Sequence, residues 1–211
     1  MSNLKGIKIL DSTRVIQERV NKASAEVINK KLKSRIGYIT NEAKNVAVSF
    51  LMSSPEIASL SGGELAGAFG LTSGGSGAAI AAINQAFVNS IYSEFKPFDK
   101  TLRNGGLYIY FQPSSFSNLL NLPEGHVIYE KGDLHWLQWL LERGDEIIVA
   151  GYSYDAQSGL GRSGLGYMSQ GGAFRVPPQF SGTSDDNFIT RSLIGRSQER
   201  RISKIIQDAL R

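Results

Sequence analysis

The sequence predicts an α+β protein: a long N-terminal helix, a small, mostly antiparallel sheet with an inserted helix, and a C-terminal helix. Three observations carry this reading. Apolar residues recur at three- and four-residue spacing through the first fifty positions. The strand-like runs are bunched in the middle of the chain instead of alternating regularly with helices. The final stretch returns to a helical pattern. At 211 residues the chain suits a single domain, 1–211, with enough material for a real core.

The first element is expected over about residues 11–54. Asp11, Ser12 or Thr13 can cap it, and Ile16, Val20, Ala23 and Val27 follow at helical spacing. The phase then slips, and Ile36, Ile39, Ala43, Val46 and Phe50 resume it. Gly37, a poor helix residue, lies near the slip, so a kink or a split into two helices is expected. A stripe this long exceeds what a small core covers, so either the rest of the domain or a partner lies along it. Aspartate at Ile39 or Val46 is expected to impair folding or assembly.

Residues 65–93 carry no charge. A membrane span would fit that length, and Gly63/Gly67 and Gly70/Gly74 match GxxxG. The glycines and hydroxyls of "TSGGSG" (72–77), followed by Asn84, Gln85 and Asn89, argue instead for a loop running into a helix from about Ala78 to Phe95. No membrane contact is expected. "GGLYIYFQ" (Gly105–Gln112) alternates as a strand after an Asn-Gly turn signal, and "HVIYE" (His126–Glu130) is a second short strand. "GDLHWLQWLLERG" (Gly132–Gly144) reads as a helix burying Leu134, Trp136, Leu137, Leu140 and Leu141, with Gly144 as terminator. "DEIIVAGYSY" (Asp145–Tyr154) is the strongest strand.

A glycine-rich loop follows, then "AFRVPP", extended because each proline restricts its predecessor. Pro177 and Pro178 remove two backbone donors, so this segment is not an interior strand. "SGTSDDN" turns the chain, Phe180 and Phe188 pin the two sides of the turn, and Ser184, Asp185 or Asp186 is expected to cap a final helix of about residues 186–210.

Composition bounds the chemistry. With no cysteine, disulfides, thiolate zinc sites, iron–sulfur clusters and a cysteine nucleophile are excluded. The N-terminal stretch has no apolar core of a secretory signal. Gly159, Gly161 and Gly164 fit G-x-G-x-x-G, but no helix follows to receive a pyrophosphate, so the loop is expected to bind no nucleotide and to order against another chain. The two histidines, His126 and His135, are not spaced as metal ligands on one helix, and no G-x-S-x-G elbow is present. No cofactor, metal or catalytic residue is expected.

Net charge is +4, with ten Lys/Arg against four acids over residues 1–50, seven against thirteen over 51–186, and six against two over 187–211. Such blocks suit nucleic-acid contact or complementary subunit surfaces.

The ordered series "HWLQWLLERGDEIIVAGYSY", "SGLGRSGLGYMSQGGAFRVPPQFSGT" and "DNFITRSL" resembles the small neck or tail-completion proteins at the head–tail junction of tailed bacteriophages. The residue pattern covers about 120–195 and the order of elements about 10–211, with "GGELAGAFGL" as a G-x-L-like element after the long helix. The resemblance implies a non-enzymatic virion protein assembled in the host cytoplasm. Its partners would be copies of itself in a ring and other neck, connector, tail-tube or sheath proteins, with DNA near by. Glycine-rich loops and long amphipathic helices suit the unlike surfaces that meet in such rings.

An assembly contact is expected at Trp136, Trp139, Arg162, Phe174, Arg175, Pro177, Pro178, Phe180, Phe188 and Arg191, with the proline elbow setting its direction. Deleting residues 187–211 is then expected to spare much of the sheet domain and abolish assembly. Two other classes stand beside this one. The first is a nucleic-acid-binding module built on Lys30, Lys31, Lys33 and Arg35 with Arg191, Arg196, Arg200, Arg201 and Lys204. The second is a hydrolase with an unrecognised site.

Overall fold

Ser12 accepts a hydrogen bond from the Val15 N–H and opens α1, Thr13–Met52, 40 residues of uninterrupted helix. At 1.5 Å per residue α1 is about 60 Å long. The computed structural model describes residues 11–129, 132–156, 161 and 163–211. Gly37 does not split α1 into two helices. The slip in the apolar pattern has a different meaning. At 100° per residue the stripe Ile36–Ile39–Ala43–Val46–Phe50 lies about 150° around the helix from the stripe Ile16–Val20–Ala23–Val27. The C-terminal stripe faces the body, where Ile39, Ala43, Ala47 and Leu51 are buried, whereas Ile16, Val20 and Val27 are exposed. One unbroken helix thus carries two apolar faces.

The body gathers at the C-terminal end of α1. Ser54 caps α2 (Pro55–Leu60), a tight turn at Gly62–Gly63 leads to α3 (Glu64–Ala68), and Thr72 caps α4 (Ser73–Ser90). The charge-free stretch is therefore packed core and loop, and among the described residues no helix is long and apolar enough to cross a membrane. Here α4 begins and ends about five residues earlier than its sequence pattern suggested. The "YSEFK" that follows alternates exposed and half-buried side chains and forms β1 (Tyr92–Lys96), paired antiparallel with β2 (Gly106–Tyr110).

A short α5 (Ser117–Leu120) precedes a second hairpin, β3 (Val127–Tyr129) with β4 (Gly132–Leu134). The inserted helix is shorter than expected, α6 (Trp136–Leu141), because Gly132–Leu134 pair as a strand. The third hairpin joins β5 (Ile147–Asp155) to β6 (Tyr167–Arg175). The chain is α+β, but the expected single sheet is three separate two-stranded ribbons.

The main core unites α2, α3, α4 and α6 with the end of α1. Trp136 stacks on Phe69 at 5.4 Å between centroids and donates its indole N–H to the Glu124 carbonyl at 3.0 Å. The expected final helix is two: α7 (Phe188–Leu193), which lies in this core, and α8 (Arg196–Leu210). Gly195, at φ +154°, makes the break in a conformation that side chains rarely adopt.

The last helix, α8, runs back antiparallel to α1. The Arg201 guanidinium sits 5.0 Å from the Phe50 ring centroid, and Lys31 Nζ donates to the carbonyls of Leu210 (2.7 Å) and Arg211 (3.3 Å). A lysine on the orphan carbonyls of a helix end is favoured by geometry and dipole alike. A second, smaller core forms there from Leu32, Ile39 and Ala209, with Phe95, Phe98, Ile205 and Ile206 packed around it.

Candidate assembly surfaces

The proline elbow is held by local hydrogen bonds and by others that tie it to α6 and α3. Beyond β6 the Pro177 carbonyl accepts from the Phe180 and Ser181 N–H groups at 2.8 and 3.2 Å. The Gly144 N–H donates to the Gly182 carbonyl at 2.8 Å. A Cβ on Gly182 would collide with the Leu140 carbonyl oxygen, so only glycine lets the elbow press against α6. The cap of α7 is Asn187, not Ser184, Asp185 or Asp186, all of which are exposed.

Asn187 is fully buried, and every hydrogen-bonding site of its amide is used. Its Oδ1 accepts from the N–H groups of Ile189 and Thr190, both at 3.1 Å. Its Nδ2 donates to the carbonyls of Leu141 (3.1 Å) and Thr183 (2.8 Å), and the Thr190 hydroxyl returns a capping-box bond by accepting from the Asn187 N–H at 2.8 Å. The sequence signal was present as N-x-x-T before an apolar run, masked by the more familiar acids just upstream.

Of the ten residues expected at a contact, three are interior. Trp136, Phe174 and Phe188 are buried in the main core, since their rings supply the apolar area that α6, β6 and α7 need to hold together. Trp139, Pro177 and Phe180 are half-buried, and the Arg143 guanidinium lies 5.9 Å from the Trp139 centroid. Arg191 spans two carboxylates, the buried Glu56 at 2.7 Å and the exposed Asp186 at 3.1 Å, and so ties α7 to α2. Arg175 and Pro178 are exposed. Arg162 and Gly159 lie outside the described residues. Residues 187–193 are part of the core, so deleting 187–211 removes Phe188 and Ile189 from it and is expected to unfold the body, contrary to the sequence reading.

The long hairpin is the surface that sequence reasoning valued too little. It is attached near both ends, by Ile148 and Phe174 at its base and by Tyr154 and Leu165 beyond its middle. Tyr154 Oη donates to the Leu165 carbonyl at 3.1 Å and lies so close to Gly67 that no side chain fits there. The glycine-rich loop therefore already packs, at Leu165 and Gly166, on its own chain. Along the hairpin Ile147, Val149, Tyr152, Tyr167 and Met168 are exposed. No charge falls between Ile147 and Tyr154 or between Tyr167 and Phe174. Among the described residues neither outer edge pairs with another strand. Edge strands are normally guarded by charge, proline, a bulge or a covering element. Along its middle this ribbon has no charge or proline, and its only irregularities are the register shifts at Ile147/Val149 and Ala150/Tyr152.

Titratable chemistry gathers at one place, where β3 and β4 bring the histidines together. His126 and His135 stack at 3.9 Å between centroids, and His126 Nδ1 lies 2.8 Å from Asp133 Oδ2. Burial, and next the nearby His126, lowers the pKa of His135 from the usual 6.5, and its Nε2 is buried without a partner. Among the described residues no three His, Cys, Asp or Glu side chains are grouped to hold a metal. A histidine whose folded pKa is depressed stays neutral in the folded protein while the unfolded chain takes up a proton. Stability is thus unaffected above pH 6.5 and falls as pH drops below it. Thermal melting at pH 7.5 and 5.0 is expected to show a smaller acid loss in His135→Phe than in the wild type.

A groove of about 670 Å³ beside β1 and β2 is lined by Tyr92, Tyr110, Gln112 and Asn118. Its amides are turned on one another and on the backbone, with Asn118 Nδ2 donating to Gln112 Oε1 and to the Ala86 carbonyl, both at 3.2 Å. Tyr92 and Tyr110 stack at 4.7 Å. The basic residues are partly engaged as well, Lys31 on the end of α8 and Arg201 on Phe50.

No family model, curated protein or solved structure matches the chain.

Proposed function

We propose that this chain is a structural virion subunit of a tailed bacteriophage, a neck or tail-completion protein that forms a ring at the head–tail junction. The observation that carries the reading is the bare middle of the β5–β6 ribbon. Its two outer edges are unlike, one offered by β5 and the other by β6. A contact between the β5 edge of one copy and the β6 edge of the next joins different surfaces, and such a contact makes a ring when the rotation between copies closes. Main-chain hydrogen bonds supply the adhesion, while exposed Ile147, Val149, Tyr152 and Met168 are covered on assembly.

The resemblance of residues 120–195 to neck proteins supports a place for this ring at the neck, with connector, tail-tube or sheath proteins above and below and DNA passing near. The buried aromatic residues of the elbow then act as the rigid seat of the ribbon. Immunogold labelling of purified particles of the virus that encodes the chain tests the reading. Label confined to the neck is expected. Label elsewhere on the particle, or particles that lack the chain, would contradict it.

A further inference from the structure

We infer that α1 pairs with the α1 of a second copy, antiparallel, through its N-terminal apolar stripe. Ile16, Val20 and Val27 are 39%, 55% and 59% exposed, and Ala23 between them is exposed too. Just beyond the stripe the helix is held by the chain itself. The β1–β2 connection clamps one side, where Asn29 Nδ2 donates to the Phe98 carbonyl at 2.9 Å and Asn29 Oδ1 accepts from the Phe98 N–H at 2.8 Å. The end of α8 occupies another side at Ile28, Lys31 and Leu32. The stripe runs N-terminal from these contacts and is uncovered, as are Arg14, Gln17, Glu18 and Lys22 around it.

The spacings of four, three and four are those of a coiled-coil seam, so a second helix is the occupant whose shape fits. Charge and side-chain size select a second copy and fix its direction. A two-fold axis midway between Asn21 and Lys22 sets Ile16 level with Val27 of the second copy and Val20 level with its Ala23, each large residue meeting a smaller one. On the flank the same axis brings Arg19, which within its own chain bonds Asp11 at 2.6 Å, opposite Glu26 of the second copy, twice by symmetry. Gln17 meets Ser24 on the other flank, and the Lys30 that ends the stripe meets Thr13. In a parallel pair the two Lys30 ammonium groups would instead face each other across the seam, which is unfavourable.

Four side chains per copy cover well under the roughly 800 Å² per partner of a standard interface, so the pair forms and parts reversibly. A two-fold contact of this kind does not lie between neighbours of one cyclic ring. It describes two free subunits, and it does not depend on the virion reading.

The chain has no cysteine, so an introduced thiol is the only one present, and all four stripe positions are exposed enough to accept it. Ile16→Cys and Val27→Cys chains are mixed, oxidised mildly, and their cross-linked dimer is followed by denaturing gel, with circular dichroism to confirm folding. The mixture is expected to cross-link at least about tenfold faster than Val27→Cys alone, because only the mixed pair holds its thiols at high effective concentration. Arg19→Glu in the same background is expected to slow the reaction, and adding Glu26→Arg to restore it. A mixture no faster than the single variants overturns the pair. Fastest linking by Val27→Cys alone, which a parallel pair would give, overturns its direction.

Discussion

Ile39→Asp is expected to unfold the protein or to cost at least about 4 kcal/mol, the consequence of placing an unpaired carboxylate in an apolar interior. Ile39 is 0% exposed and sits in the small core where α1 meets α8 and the first hairpin. Arg35, one turn before Ile39 on α1, is exposed to solvent, so a carboxylate at the buried position 39 would have to leave the core to meet it. The new carboxyl therefore has no ready counter-charge and takes a proton or disrupts the packing. Val46→Asp is expected to cost less, because Val46 is only half-buried. Val20→Asp is expected to leave melting within about 0.5 kcal/mol of wild type, as for ordinary surface changes. Urea denaturation followed by circular dichroism ranks the three variants. A Val20→Asp protein as unstable as Ile39→Asp would show that the N-terminal stripe belongs to the interior, and the two-face account of α1 would fail.

Asn187→Ala is expected to lower stability by about 3 kcal/mol, more than the 1–2 kcal/mol of an ordinary lost cap. The extra cost arises because the amide serves four backbone groups, two N–H groups of α7 and the carbonyls of Leu141 and Thr183, in a place water does not reach. Asn187→Asp tests the same geometry differently. A carboxylate keeps both acceptor bonds but turns two donor bonds into repulsions with carbonyl oxygens, so it is expected to rescue little. Serine is a good cap on its own and is expected to recover only the α7 half of the loss. If Asn187→Asp matched the wild type, the link from the elbow to α6 would be energetically idle, and Asn187 would be a cap alone.

Much of the architecture was legible in the chain. The apolar period located α1 to within two residues at each end, and the proline pair marked where β6 stops. The face switch of α1 was visible as a phase slip, but a one-dimensional pattern does not separate a break between two helices from a rotation of the stripe, and Gly37 favoured the break. The β1 strand was hidden because "YSEFK" follows a helix without a glycine or proline between them. Its alternation becomes meaningful only once β2 is there to pair with it. The contact residues were the least legible. Aromatic rings such as Trp136, Phe174 and Phe188 serve a core and an interface by the same chemistry, and only burial separates the uses. The ribbon edges, by contrast, are defined by what is missing from them, charge and proline over eight-residue runs in β5 and β6, and that signal was available in the sequence.

The claim that the unguarded ribbon makes this chain an assembly subunit is tested most directly by native mass spectrometry of the purified protein beside the Val149→Lys/Met168→Lys variant. Both substituted side chains are exposed, so the lysines guard the ribbon without entering the core. The account predicts a closed oligomer of more than two chains for the wild type, falling to monomer and dimer in the variant. A wild-type chain that stays at one or two copies, or an oligomer that the lysines leave intact, would contradict it.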